Sequence, residues 1–513
     1  MNAVSQIDGY KASHHKQYVP GCQRVYTNET PRSTRYLPKI EGTDDKVVVL
    51  GHTYFIKHFL IDTFNRTFFN LSEEKAINRY QRLMNAYLGP GQTVEHIRAL
   101  HRLGYLPISI RALDEGLTVK AGIPVLTIEN TLPEFYWLTN YLETIGSAYT
   151  WLMSNNATIA RKYRKLLERA ADETGGDKNF VQFQAHDFSF RGMSSPQSAE
   201  MSGFAHLTSF VGTDTVPALE FAETFYGANL DTELVGCSVP ATEHSVMTSY
   251  GKNDEFEAFR HIIQDVYPGG IVSVVADSFD FWQAVTEFLP RLKEIILARK
   301  GGAFGDKVVI RPDSGDPFRI ICGYTANEVL HQDGKIYHRD TLEEITQAEY
   351  DGAIQCLWNI FGGSLTSNGF KLLDPHIGLI YGDSITLDRC KRILEGLATK
   401  GFASTNVVFG IGSYTYQLNT RDTCGFAFKA TDITVNGEDR AIFKDPKTDG
   451  GTKKSARGKL VVLRNADGEL HLVDGVDAET VKVGELKEVF RNGKLLREST
   501  LAEIRQRITE SLK

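Results

Sequence analysis

Apolar residues recur at three- and four-residue spacing in "EEKAINRYQRLMNAYL" (73–88), which predicts an amphipathic helix. The same rhythm runs through "PEFYWLTNYLETIGSAYTWLMSNNATIARKYRKLLERAADETGG" (133–176), long enough to contain a break. "KVVVLGHTYF" (46–55) and "LTVKAGIPVLTIEN" (117–130) read as strands, the second with a turn at Ala121 and Gly122. Two glycines and a charge cluster in "DETGGDK" then close the long helix and mark a boundary near residue 178.

From 179 to 413 a different grammar repeats: a short β-rich run, a polar loop, a helix. The runs are "FVQFQAHDFSFRG", "LTSFVGTDT", "GCSVPATEHS", "IVSVVADSFD", "KVVIRPDSGDP", "IGLIYGDS" and "NVVFGIGS", and each ends in Asp, Glu, His, Arg, Ser or Gly. Repeated strand–loop–helix units predict a parallel sheet, and this many predict a closed or nearly closed α/β barrel, with an open doubly wound sheet as the alternative. Barrel chemistry sits at the C-terminal ends of the strands, where these polar residues fall.

Residues 321–373 read as an insertion, with a hairpin at "HQDGKIYHRD" and a helix opened by two overlapping capping boxes, "TLEE" and "TQAE". After 413 the NG and DG turns of "ITVNGEDRAIF" and "VVLRNADGELHLV" predict hairpins. The expected organisation is an irregular TIM-like barrel (179–413) packed on a mixed α+β domain. That second domain combines the N-terminal part (1–178) with the β-rich C-terminal part (414–513).

Composition narrows the classes. A net charge of −7 excludes a large nucleic-acid footprint, which needs a surplus of cations on one face. The six cysteines include no CxxC pair, so neither a zinc ribbon nor a disulfide framework is signalled. No apolar run approaches the length of a membrane span and the N-terminus lacks a signal-peptide core, so a cytoplasmic protein without membrane partners is expected.

The strand-end loops carry the candidate chemistry as a set. Arg311, Asp313 and Asp316 in "RPDSGDP" suit a phosphate clamp, ribose hydroxyls or a magnesium-bound phosphate, against the alternative of an ordinary turn with a surface ion pair. "YGDS" and "FGIGS" offer glycine backbone N–H groups to an anion. Phe188 offers a stacking face, Arg191 a cation, and Asp214 a carboxylate that accepts from an amide NH₂ but repels an acid. Core packing is the commoner fate of a lone Phe. Arg421, Lys429, Lys444 and "KTDGGTKKSARGK" concentrate positive charge in an acidic chain, as a polyphosphate site does and as a solvated loop also does. His244, beside Glu243, reads as core residue, metal ligand, base or nucleophile. The adjacent His14 and His15 lack a third ligand at usable spacing and no HExxH occurs, so no protein-held metal is expected.

Taken together, "DGYKASHHKQYVPG", "HDFSFRGMSS", "FVGTDTVPAL", "SVPATEHSVM", "VVADSFD", "VVIRPDSGDP", "YGDS" and "IFKDP" resemble the nicotinamide phosphoribosyltransferases of the type II phosphoribosyltransferase family. The matching segments run in order from residue 8 to about 460. The resemblance implies a homodimer with active sites at the subunit interface and transfer from 5-phosphoribosyl 1-pyrophosphate to nicotinamide. It further implies magnesium held mainly through substrate phosphates, and ATP as co-substrate. By the same resemblance Tyr10 and Phe188 sandwich nicotinamide, Asp214 receives its carboxamide and Arg191 lies beside it. Arg311, Asp313, Gly382, Asp383, Gly412, Ser413 and Arg421 hold the phosphoribosyl part, and Arg32, Lys429, Lys444 and Lys453 gather the diphosphate. His244 matches a histidine that ATP phosphorylates, and Asp277 the carboxylate that orients it; with Asp313 these form the catalytic set. Three positions depart from the family pattern: Ser413 for glycine, Ala427 for serine and Thr242 for alanine.

Nicotinate phosphoribosyltransferase, of the same fold, is the nearest rival, and Asp214 argues against an acid substrate. A metal-dependent phosphohydrolase needs a carboxylate and histidine cluster that these loops do not supply. A non-catalytic scaffold protein would be favoured by loss of His244, Arg311 or Asp313, and all three are present. Nicotinamide has no proton to remove and no metal set accompanies His244. Base and metal ligand therefore fall away, and at a predicted strand end with Asp277 to hold one ring nitrogen, the phosphoryl-acceptor role that the resemblance implies is the expected one.

Overall fold

The computed structural model describes residues 2–382, 384–444 and 456–513. Six strands form a parallel sheet: β1 (Ala185–Asp187), β2 (Gly212–Thr213), β3 (Ile271–Val275), β4 (Lys307–Arg311), β5 (Ile377–Tyr381) and β6 (Val407–Ile411). Their spatial order is β2-β1-β6-β5-β4-β3, with every neighbouring pair parallel. The seventh predicted run closes the ring. Its segment 237–242 bridges both edge strands, Gly212 to Cys237 and Ala241 to Ser273, both parallel. The Cys237 N–H donates to Val211 O at 2.7 Å and the Ser273 N–H to Pro240 O at 2.8 Å. Pro240 has no N–H to give a ladder, so this strand is joined at its two ends and stays irregular between them. Buried aliphatics of β3, β4, β5 and β6, such as Val272, Val308, Leu379 and Ile411, fill the core, each contributing about 1.5–3 kcal/mol.

A seven-stranded antiparallel sheet draws on both ends of the chain. Its order is Glu438–Ala441, Phe426–Val435, Cys22–Pro31, Leu126–Asn130, Ile108–Ala112, Lys487–Arg491, Lys494–Leu495. The hairpin between its first two strands turns at Asn436 and Gly437, with φ of 52° and 82°, both in the left-handed region that an NG type I′ turn requires. The expected hairpin at Lys459–Arg464 and Leu470–Val476 also forms. Helix Glu143–Thr174 spans 32 residues, follows a short helix Leu138–Tyr141 after the predicted break, and stops at Gly175 with φ 67°.

Three expected elements differ. Only Val47 and Val48 of "KVVVLGHTYF" pair as strand, and the chain turns helical at His52. The cause is remote in sequence: the buried Glu115 carboxylate accepts from the Gly51 N–H at 2.5 Å and the Thr53 N–H at 3.4 Å, and so caps the helix from outside its own segment. In the 321–373 region, "TQAE" does form a capping box and opens helix Gln347–Asp351. "TLEE" does not, because Glu344 is taken into a third strand, Glu344–Ile345, paired with the predicted hairpin. "FVQF" is likewise a short 3₁₀ helix, Lys178–Phe183, and β1 begins only at Ala185.

Candidate active site

The strand ends of the parallel ring converge on one cavity of about 740 Å³, lined by Phe188, Arg191, Asp214, His244, Arg311, Asp313, Gly382, Gly412 and Ser413 among others. Most follow directly from a strand. Phe188 comes one residue after β1, Asp214 one after β2, Gly382 one after β5, and Gly412 and Ser413 immediately after β6, while Arg311 ends β4. His244 begins a short helix after the closing segment.

Small residues let this lining pack closely. A Cβ on Gly410 would lie 2.7 Å and 2.9 Å from ring carbons of Phe188, so glycine makes room for the aromatic face. A Cβ on Gly382 would lie 2.5 Å from Asp313 Oδ1. A Cβ on Gly192 would lie 2.0 Å from Ser413 Oγ, so the serine that departs from the family pattern is accommodated by the glycine facing it. Thr242, another departure, ties three strands together. Its hydroxyl accepts from the Val275 N–H at 3.0 Å, and its carbonyl accepts from Arg311 Nη2 at 2.7 Å. Ala427 is buried opposite Thr30, and nothing around it explains the residue choice.

His244 and Asp277 meet as expected, Nε2 to Oδ1 at 3.1 Å. The other oxygen of Asp277 accepts from the Asp313 N–H at 2.9 Å and the Ser314 hydroxyl at 2.6 Å. Burial pushes the Asp277 carboxyl up, but the Ser314 hydroxyl, the Asp313 N–H and His244 outweigh it and hold it below the usual carboxylate range. An anionic Asp277 thus fixes the imidazole by Nε2 and leaves Nδ1 for another partner. Ser314 is not singled out by the sequence pattern, although it sits next to Asp313 in the quoted loop.

His186 and Ser238 are also site residues that the pattern does not pick out. His186 Nε2 lies 2.8 Å from Asp214 Oδ1, and the Ser238 hydroxyl donates to the same oxygen at 2.6 Å. Burial raises the Asp214 carboxyl, while the His186 and Ser238 bonds and the charge of Arg311 lower it further, leaving it below its ordinary range. The sequence offers only a faint signal, the two-residue spacing of His186 from Phe188, which lies just past the end of β1.

A second group lies apart from the cavity lining. Lys429 sits on strand Phe426–Val435, paired across from Asn28, and Arg32 follows the neighbouring strand and donates from Nε to Gly425 O at 3.1 Å. Burial lowers the Lys429 ammonium, Glu143 raises it, and Arg32, Lys444 and Arg421 lower it again, so the four cations share one electrostatic neighbourhood. Tyr10 is 60 % exposed on the N-terminal 3₁₀ segment Gly9–Lys16, where burial, Asp8 and Glu143 raise its hydroxyl and the charge of Arg421 opposes them only weakly. Tyr10, Arg32, Arg421, Lys429 and Lys444 are therefore brought together with one another and not with Phe188 and His244. Asp383 and Lys453 lie outside the described residues.

Among the described residues no three His, Cys, Asp or Glu side chains converge on a point where they could hold a metal, and no helix is long and apolar enough to cross a membrane. A magnesium ion carried on phosphates needs only one or two carboxylates, and Asp313 fits that demand.

Comparison with known proteins agrees with this geometry. The model of the nicotinate phosphoribosyltransferase (NAPRTase) family matches residues 183–494. The chain is 51 % identical over 514 residues to a nicotinamide phosphoribosyltransferase of Acinetobacter baylyi, covering 100 % of this chain and 98 % of that one. It is 34 % identical over 517 residues to one from Xanthomonas campestris pv. campestris, covering 98 % and 97 %. Among solved structures, a nicotinate-nucleotide pyrophosphorylase from Pyrococcus furiosus superposes with a TM-score of 0.56 at 15 % identity over 99 % of this chain and 95 % of that one, which shows a shared fold.

Proposed function

The chain belongs to the nicotinate phosphoribosyltransferase (NAPRTase) family and is a phosphoribosyltransferase, and from that premise we propose that its acceptor base is nicotinamide. The proposed reaction takes the phosphoribosyl group from 5-phosphoribosyl 1-pyrophosphate and yields nicotinamide mononucleotide and diphosphate. One observation carries the reading. A single cavity joins an aromatic face, a carboxylate poised to accept, an Arg–Asp pair with glycine N–H groups, and a carboxylate-held histidine.

In the proposed step the bond from the anomeric carbon to the diphosphate oxygen breaks, diphosphate leaves with the electron pair, and the ring nitrogen of the base forms the new bond. Positive charge grows on the sugar, where Asp313 stabilises it, while Arg311 and the N–H groups at Gly412 and Ser413 hold phosphate oxygens, with Gly382 leaving room beside Asp313. Magnesium, when bound, neutralises the departing diphosphate. The base is neutral and needs no deprotonation, so stacking on Phe188 and one amide contact to Asp214 position it. A nicotinate carboxylate would meet an anionic Asp214, which disfavours the acid. Coupling to ATP proceeds in this reading by transfer of the terminal phosphoryl group to His244 Nδ1, with ADP leaving and Asp277 stabilising the cationic ring.

The basic group of Tyr10, Arg32, Arg421, Lys429 and Lys444 lies outside the cavity lining of its own chain. We therefore place the working site between two copies in a homodimer, each cavity receiving the cations of the other copy. The reading includes a cytoplasmic enzyme with neither nucleic-acid nor membrane partners. The test is mononucleotide formation by purified protein with magnesium and phosphoribosyl pyrophosphate, with nicotinamide or nicotinate, with and without ATP. Preferential product from nicotinamide, raised by ATP, is expected; no product from nicotinamide under any condition contradicts the proposal.

A further inference from the structure

Asp214 is the group on which the choice of base rests, and its two oxygens are not equivalent. Oδ1 accepts twice, from His186 Nε2 at 2.8 Å and from the Ser238 hydroxyl at 2.6 Å. No donor among the described residues is within hydrogen-bonding reach of Oδ2. An ionised carboxylate oxygen with two donors has little capacity for a third, so a ligand amide is directed to the other oxygen. The two donors come from the strands on either side of Asp214: His186 lies on β1 and Ser238 on the closing segment.

The imidazole is itself held in place. Its ring lies 4.7 Å from that of Phe188, and its side chain is 12 % exposed. A Cβ on Gly212 would lie 2.9 Å from its Nδ1, so the strand beside it has been pared to glycine where the ring passes. The ring therefore links the stacking face to the hydrogen-bonding face of the same subsite.

We propose that His186, assisted by Ser238, is a positioning and specificity-determining residue: it clamps Asp214 Oδ1 so that Oδ2 alone is presented to the carboxamide of the base. The proposal rests on the reading of Asp214 as the amide acceptor. To donate to Asp214, the imidazole must carry its proton on Nε2. A carboxylate released from this clamp rotates, offers a less directed acceptor to an amide, and no longer opposes an acid at a fixed distance. The loss falls on discrimination between the two bases rather than on chemistry at the sugar.

The experiment compares kcat/KM for nicotinamide and for nicotinate, at saturating phosphoribosyl pyrophosphate, in the wild type, His186→Ala, His186→Gln and Ser238→Ala. His186→Ala is expected to lower the nicotinamide-to-nicotinate ratio about tenfold, mostly through KM for nicotinamide, with KM for phosphoribosyl pyrophosphate unchanged. His186→Gln, whose amide can still donate, should recover most of the ratio. Ser238→Ala should shift it in the same direction but less, since it removes one donor to Asp214 Oδ1 and leaves His186 in place. Equal losses for both bases in His186→Ala, or an unchanged ratio in both alanine variants, overturn the proposal. Failure of the wild type to use nicotinamide overturns the underlying reading instead.

Discussion

At the barrel mouth Asp277 is held by three donors and Asp214 by two, whereas Lys429 on the antiparallel sheet shares one neighbourhood with the like charges of Arg32, Lys444 and Arg421, which lie beside the sheet's strands. The first region is preorganised: its carboxylates stay ionised and aimed because hydrogen bonds outweigh the cost of burial. In the second, burial lowers the Lys429 ammonium, Glu143 raises it, and the charges of Arg32, Lys444 and Arg421 lower it again, so an anion bound there favours its charged form. A site for a polyanionic sugar needs both kinds of region. The difference separates a region aimed by its own hydrogen bonds from one whose cations, in the proposed dimer, serve another copy.

The largest expected effect comes from breaking the mouth. His244→Ala removes the Nδ1 acceptor, so ATP stimulation of mononucleotide formation should vanish, a drop of about a hundredfold or ~2.7 kcal/mol at saturating ATP, with the unstimulated rate kept. Full ATP stimulation in the variant would exclude the phosphoryl-acceptor role. Gly410→Ala strikes the stacking face without touching charge. Its methyl would lie 2.7 Å from the Phe188 ring and 2.9 Å from Gly382 Cα, so both must shift: KM for nicotinamide should rise about tenfold, KM for phosphoribosyl pyrophosphate should rise less, and the fold should lose about 1–3 kcal/mol, read by steady-state kinetics and thermal unfolding.

An effect on stability alone, with none expected on activity, sharpens the other side of the comparison. Glu29 lies on the strand that pairs with Lys429's strand, but its carboxyl is buried, accepts from the Thr150 hydroxyl at 2.5 Å, and is pushed by burial up to about 8 from 4.5. A buried acid with a raised value keeps its proton when folded and loses it when unfolded, so stability falls as pH rises between about 4.5 and 8. Glu29→Gln should flatten that fall, which is on the order of a few kcal/mol in the wild type across the window. Thermal midpoints at pH 5 and pH 8 measure it; equal slopes for both proteins would show that Glu29 is ionised in the fold.

Much of the mouth is legible in the sequence because a parallel strand announces its end twice, by the stop of its apolar run and by the polar residue that follows. All seven such runs join the ring. His186 and Ser238 are harder to read, since β1 is three residues long and the closing segment is irregular at Pro240, so neither shows a clear alternation. The helix at His52 is illegible locally because its cap, Glu115, is supplied by a distant segment. Tyr10, Arg32 and Lys429 each carry a readable charge or ring, but their gathering depends on strand Cys22–Pro31 pairing with Phe426–Val435, a contact spanning about 400 residues that no local pattern encodes.

The central claim is that these two regions, taken from two copies, form one site, and a mixed dimer tests it directly. Asp313→Asn disables the mouth and Lys429→Ala the basic group, and each variant alone should be nearly inactive with nicotinamide. Co-expressed with different tags and purified as the mixed dimer, they place both defects in one site and leave the other intact. About half the wild-type rate is then predicted from the symmetry of such a dimer. A mixed dimer no more active than its parents, or a protein that stays monomeric and fully active, would contradict the account.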